Sequence, residues 1–379
     1  MYKSYIHSIA QYVRQLFFRR HPAFLVLFVT SRCNAKCATC FNIKNVLAAD
    51  HDEMPLKSYQ AIARQYGQLP QLLISGGEPF LRKDLPEIIE SFYRYCGTRV
   101  ITIPTNGMLY SQIVISLPEI IKRCPDATIN INISLDGISQ VHDNFRGIPG
   151  AFDMVLKTFN WVKELKKKIP GLGLNISTTI TPDNLEQMNN FISFVREELK
   201  PDTHIVGKDR AIINKNHIPK GKLYEVFKFL DNDPTGRINR GLLNKVLRIL
   251  IRTIRDIDLE VLEKKNRPFN CLAGRKIIII SEKGEVYPCE PMWFPEIIRH
   301  NNTNSRPRSF SLGNLQTVDM NLNRLLNTPL AMQIFRWIDG KHCTCHYECA
   351  YYNSIAYSFW NYSDKIFKNI MRSCFAPLN

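Results

Sequence analysis

The chain has 379 residues, 45% hydrophobic and 22% charged, an ordinary globular composition that excludes a fibrous or disordered protein and suffices for one large domain plus an appendage. Fifty Lys and Arg against 34 Asp and Glu leave a net charge of +16, which points to anionic partners without choosing among them. No stretch reaches the roughly 18 apolar residues of a membrane span, and no cleavable signal peptide is visible in Met1–Arg20, so the eleven cysteines read as metal ligands in a reduced cytoplasm rather than as disulfides.

Residues 1–22 are predicted to form an amphipathic helix. Tyr2, Tyr5, Ile6, Ile9, Tyr12, Val13, Leu16 and Phe17 share one face, with Lys3, Arg14, Arg19 and Arg20 as basic neighbours. It packs beneath the following domain or, alternatively, makes peripheral contact with a membrane surface. Residues 23–210 then alternate. Strand-like runs recur at Phe24–Val29, Leu72–Ile74, Val100–Ile103, Thr128–Leu135, Leu172–Ile180 and Thr203–Val206. Helical segments intervene, such as Leu56–Tyr66, Leu85–Tyr95, Phe152–Lys168 and Leu185–Leu199. This order implies βαβ units and a parallel sheet. Six such units fit an α/β fold, a partial (β/α)6 TIM-like barrel left open.

The first strand runs into Cys33-Asn34-Ala35-Lys36-Cys37-Ala38-Thr39-Cys40. The C-x3-C-x2-C triplet supplies three thiolates and no fourth. A 4Fe-4S cluster held by four cysteines is coordinatively full; held by three, it leaves one iron open to a small molecule. A partial zinc site with a distant fourth ligand, or a redox C-x2-C, uses the same residues. One strand later comes Gly76-Gly77-Glu78-Pro79, where two glycines allow close backbone approach and Glu78 brings a carboxylate.

Together these motifs resemble the radical S-adenosylmethionine (SAM) superfamily. Cys33, Cys37 and Cys40 match its cluster motif, Phe41 the aromatic residue that often follows, and Gly76, Gly77, Glu78 and Pro79 the segment that meets the SAM amino group. The resemblance implies that the open iron chelates SAM, and that one-electron reduction yields a 5′-deoxyadenosyl radical that abstracts a substrate hydrogen. Further loops follow in the same order: Thr105-Asn106-Gly107, Ser134-Leu135-Asp136-Gly137, His142 to Gly147, and Thr178-Thr179-Ile180-Thr181. The resemblance counts Asn106 among the SAM-binding residues. It places Ser134 and Asp136 near the SAM ribose, and Arg146 near its carboxylate or the substrate. His142 is expected to be structural.

Residues 211–266 read as a helical linker of two or more amphipathic helices, broken at Asp231–Gly236. Residues 267–379 form a small cysteine-rich module. Cys271 and Cys289 flank a hairpin (Lys276–Ile280, a turn at Ser281–Gly284, Glu285–Tyr287), and Cys343-Thr344-Cys345-His346-Tyr347-Glu348-Cys349 follows. Ligand chemistry alone leaves zinc and an iron–sulfur cluster open, with His342 or His346 as stand-in ligands. The pattern Cys271-Leu272-Ala273-Gly274, Gly284 to Cys289 and Leu312-Gly313-Asn314-Leu315 resembles SPASM or twitch extensions. That resemblance implies one auxiliary 4Fe-4S cluster on Cys271, Cys289 and two of Cys343, Cys345 and Cys349. Cys374 is a further candidate; Cys96 and Cys124 match no motif.

The expectation is a radical SAM enzyme that modifies a peptide or protein. The alternatives are twitch-type oxidation or rearrangement of an anionic small molecule (a sugar, nucleotide or lipid headgroup), or a zinc or iron–sulfur protein without catalysis. A flavodoxin or ferredoxin is the expected reductant. Nucleic acid is not an expected partner.

Overall fold

A run of five apolar residues, Phe24-Leu25-Val26-Leu27-Phe28, forms the central strand β1. Leu25 to Phe28 have no exposed surface, and each such burial contributes about 1.5–3 kcal/mol. The structure is a computed structural model that describes residues 22–37, 39–48, 52–209, 218–231, 242–264, 267–294, 299–300, 307–344, 347–358 and 366. Residues 1–21 of the predicted amphipathic helix over residues 1–22, together with Cys345 and Cys374, lie outside the described residues.

Strands β2 (Gln71–Ser75), β3 (Val100–Thr105), β4 (Thr128–Ser134), β5 (Leu172–Ile180) and β6 (Thr203–Lys208) follow β1 in spatial order, each pair parallel. This is the expected six-stranded parallel core, and among the described residues β6 does not pair back to close it. The helices Leu56–Tyr66, Leu85–Cys96 and Ala151–Lys166 agree with the sequence reading to within two residues. The helix Tyr110–Arg123 was not foreseen; it carries Pro118 in its interior, a residue that ordinarily breaks a helix.

The C-terminal hairpin is continuous with this sheet. β7 (Ile277–Ile280) and β8 (Glu285–Tyr287) pair antiparallel, and β7 also pairs parallel with β1, matching Phe24 to Ile277 and Leu27 to Ile280. A short β10 (Gly313–Asn314) extends the edge, giving nine strands in the order β10-β8-β7-β1-β2-β3-β4-β5-β6. A separate ribbon joins β9 (Arg299–His300) to β11 (Cys343–Thr344). Isoleucine fills all four positions of β7, and all are fully buried, as expected of a strand covered on both faces.

The linker holds two helices, Lys220–Asp231 and Leu242–Lys264. Asp258 on the second makes a buried ion pair with Lys208 at the end of β6. No helix among the described residues is long and apolar enough to cross a membrane.

One face of the sheet is polar along β4 and β5. In β4, Ile129, Ile131 and Ile133 are buried, while Asn130, Asn132 and Ser134 alternate with them. Asn175 of β5 lies in register with Asn132, and its side-chain amide donates to Asn132 Oδ1 at 2.9 Å. The period of two thus puts a row of amides and hydroxyls opposite the isoleucine core.

Candidate functional site

The loops after β1, β2, β3 and β4 meet at the C-terminal ends of the parallel strands. The Cys33–Cys40 loop and the glycine segment interlock through the main chain: Gly77 N–H donates to Thr30 O and Glu78 N–H to Arg32 O, both at 2.8 Å. Two glycines are required here. Gly76 has φ +148°, and a Cβ on it would lie 2.4 Å from Thr30 O. A Cβ on Gly77 would lie 2.1 Å from Arg32 O and 2.9 Å from Cys33 Cβ.

Glu78 is 1% exposed. One carboxylate oxygen accepts from Thr105 Oγ1 at 2.9 Å and Phe80 N–H at 3.2 Å, and the other from Asn106 N–H at 2.8 Å. Burial pushes its carboxyl up to about 7, with these donors and Arg146 pulling it back. Asn106 continues the chain of contacts, its amide donating to Asn34 Oδ1 at 2.7 Å and lying 4.0 Å from Cys33 Sγ. Pro79 is buried and opens the short 3-10 turn Pro79–Leu81.

Arg146 approaches from the other side. Its guanidinium donates to Cys37 Sγ at 3.4 Å and pairs with Asp136. Asp136 also accepts from Thr179 N–H at 2.7 Å. Its carboxylate is therefore engaged in positioning Arg146, a role the expected ribose contact does not include. Ser134 ends β4 in register with Ser177. His142 is fully buried, accepts the Asp136 N–H on Nδ1 at 3.1 Å, and is depressed to about 3 by burial and by Arg146, in keeping with a structural role.

The three cysteines suit an iron–sulfur cluster. Burial pushes Cys33 and Cys40 up to about 11, with the neighbouring Cys37 raising both further and Arg146 drawing both back. All three are free thiols. Arg146 Nε is buried without a hydrogen-bond partner among the described residues. An anionic group at this point, such as a thiolate-ligated cluster, would satisfy it, and the guanidinium would compensate the negative charge of the thiolates. Such a cluster, when bound, supplies the electron that cleaves SAM reductively.

The C-terminal cysteines gather on loops tied to one another. Gly274 N–H, in the Cys271 loop, donates to Pro288 O beside Cys289 at 3.1 Å. Leu272 N–H donates at 3.0 Å to Ser354 Oγ, on the helix Glu348–Tyr357 that carries Cys349. Cys343 is buried, and Cys271 is near enough to raise it while Arg267 lowers it; burial dominates and holds the thiol at about 11. Among the described residues no three Cys, His, Asp or Glu side chains converge on one point as ligands of a single ion. A cluster, whose cysteines bind different irons, makes no such demand. Cys271, Cys289, Cys343 and Cys349 are candidate ligands of such a cluster, and Cys345, a further candidate, lies outside the described residues.

Residues 27–195 match the family model of the radical SAM superfamily, and residues 271–351 match SPASM, an iron–sulfur cluster-binding domain. The chain carries a radical SAM domain followed by a SPASM domain. Its cofactors are SAM, a SAM-binding 4Fe-4S cluster and auxiliary iron–sulfur chemistry in the SPASM domain. The reading as a non-catalytic zinc or iron–sulfur protein is thereby set aside. The radical SAM chain is 29% identical over 200 residues to Fe-coproporphyrin III synthase of Methanosarcina barkeri, covering 50% of this chain and 46% of that protein. It is 24% identical over 330 residues to the antilisterial bacteriocin subtilosin biosynthesis protein AlbA of Bacillus subtilis, covering 83% and 62%. It thus spans about half of the first relative and under two thirds of the second. Its fold is like that of Streptococcus suis SuiB bound to SAM, with a TM-score of 0.59 at 18% identity over 86% of this chain and 72% of that one.

Three features of the radical SAM site were missed in the sequence, although Phe41 itself belongs to the cluster motif. Arg82 donates to the Val29 and Met54 carbonyls at 2.8 Å each and pairs with Asp84 and Glu53. Glu53 also grips Thr30 and Arg32 of the cysteine loop. An aromatic bridge joins the two cluster loops: Phe41, beside Cys40, meets Phe294 at 5.4 Å, Phe294 meets Trp293 at 4.9 Å, and Trp293 stacks on Tyr287 at 5.6 Å. Tyr287 lies two residues before Cys289.

Proposed function

We propose that this radical SAM enzyme modifies a peptide, using the radical made at Cys33, Cys37 and Cys40 to abstract a hydrogen from it. The observation that carries this reading is the uncharged polar face of β4 and β5. Asn130, Asn132, Ser134, Asn175, Ser177 and Thr179 offer amides and hydroxyls along two adjacent strands. These groups match the donors and acceptors of a peptide backbone, spaced as the strands are. The β1 side offers the rings of Phe41, Trp293 and Tyr287, which suit apolar side chains. The relatives support the same reading: AlbA acts in the biosynthesis of a bacteriocin, and SuiB has been solved bound to its precursor peptide SuiA.

Gly76, Gly77, Glu78, Pro79, Asn106, Ser134, Asp136 and Arg146 are the proposed SAM-binding residues. Within that set, Glu78 and Asp136 act by fixing Asn106 and Arg146. A flavodoxin or ferredoxin is the proposed electron donor, and the cytoplasm the proposed compartment. A small-molecule substrate is the second reading, favoured by relatives named for coproporphyrin and heme synthesis.

The test uses anaerobically reconstituted full-length protein, dithionite and SAM. Peptides encoded beside its gene form one arm, and iron coproporphyrin III and GTP form the other. Peptide modification is expected to show as 5′-deoxyadenosine produced above the uncoupled rate, with a matching mass change in the peptide. Coupling to the tetrapyrrole or the nucleotide alone overturns it.

A further inference from the structure

Each of the two groups of cysteines has a buried arginine touching one thiol. At the first group it is Arg146 on Cys37, at 3.4 Å. At the second it is Arg267, 2% exposed, whose Nη1 donates to Cys343 Sγ at 3.6 Å. The other end of the Arg267 fork donates to the Ile338 carbonyl, at the end of the helix Pro329–Asp339, and the guanidinium lies 5.7 Å from the centre of the Phe269 ring. Helix end and ring hold the cation at a fixed place.

We propose that Arg267 sets the reduction potential of the auxiliary cluster. This rests on the cluster being present and is independent of the substrate. A four-iron cluster with thiolate ligands is anionic at either oxidation level and carries one more negative charge when it takes up an electron. A fixed cation against its ligands stabilises the reduced level more, and a hydrogen bond to sulfur acts in the same direction. Burial makes the effect large, because little water intervenes to screen the charge. Arg267 is a positioning residue in this scheme. It touches a ligand sulfur and leaves substrate to other groups, and the electron it favours comes from the reductant or from the substrate radical during turnover.

The experiment uses the full chain with Cys33→Ala, Cys37→Ala and Cys40→Ala, so that only the auxiliary cluster gives a signal, and titrates that signal by electron paramagnetic resonance against a poised potential. Arg267→Met is expected to make the auxiliary cluster at least tenfold harder to reduce, a negative shift of about 59 mV or more for one electron. Arg267→Gln, which keeps a donor and loses the charge, is expected to shift in the same direction. Arg267→Lys is expected to retain most of the parent potential. An unchanged potential in the loaded Met variant overturns the proposal, as does a Lys variant displaced as far as Met. Loss of the cluster from all three variants makes Arg267 a structural residue and overturns it too. A parent without iron in this background refutes the auxiliary cluster itself, a separate outcome.

Discussion

Arg146 donates to Cys37 Sγ at 3.4 Å although 109 residues separate them in the chain. The contact ties the loop after β4 to the loop after β1, and Asp136 fixes the arginine from behind. Arg146→Met leaves the Asp136 carboxylate buried without its cation, at a cost of about 3–5 kcal/mol. The double variant Arg146→Met, Asp136→Leu is expected to recover much of that in thermal unfolding, yet to stay defective in 5′-deoxyadenosine formation. Recovery of both would make the pair purely structural.

Glu78→Ala removes the acceptor for Asn106 N–H and Thr105 Oγ1. Hydrogen bonds to a charged group contribute about 1.5–3 kcal/mol, so SAM affinity is expected to fall by roughly tenfold to hundredfold while iron content holds. Equilibrium binding of SAM to the reconstituted variant checks this, and an unchanged affinity would show that the segment is only a turn.

Iron content separates the two sites. About eight irons per chain are expected after reconstitution, from two four-iron clusters. The Cys33, Cys37 and Cys40 triple alanine variant should keep about four, and so should Cys271→Ala with Cys289→Ala. Gly77→Ala is expected to behave like the triple variant, because its Cβ would lie 2.1 Å from Arg32 O and displace the cysteine loop. Four irons and one zinc in the intact protein would make the SPASM module a zinc site.

His142 gives a pH dependence whose sign is fixed. Its folded pKa is about 3, below the ordinary 6.5, so as pH falls below 6.5 the unfolded chain takes up a proton that the folded chain refuses. Stability is therefore lost on acidification, by about 2 kcal/mol at pH 5 from this group alone. His142→Asn keeps an acceptor for Asp136 N–H and cannot titrate. Its unfolding temperature relative to the parent should rise between pH 7 and pH 5. A constant difference would mean that His142 titrates alike in the folded and unfolded chains.

The order of the six parallel strands, most of the helices between them, the three-cysteine loop and the glycine segment were legible in the sequence by itself, the helix Tyr110–Arg123 excepted. Apolar runs such as Phe24–Phe28, helical periods and ligand spacing are local properties, and a cluster loop must place its thiols within a few residues. The C-terminal cysteine pattern was legible for the same reason. Tertiary structure alone decided how these pieces meet. The all-isoleucine run of β7 does not say that Ile277 pairs with Phe24, 253 residues away. Nothing near Arg82, Glu53 or Arg267 marks them, because an arginine gains its role from the carbonyls and thiols that folding brings to it. The carboxylates of Glu78 and Asp136 were recognised by position, but their task of holding Asn106 and Arg146 was set by contacts between loops far apart in the chain. Local pattern chooses the elements and the cofactor; the buried charges that tune the site are placed by long-range packing, where desolvation makes each partner count.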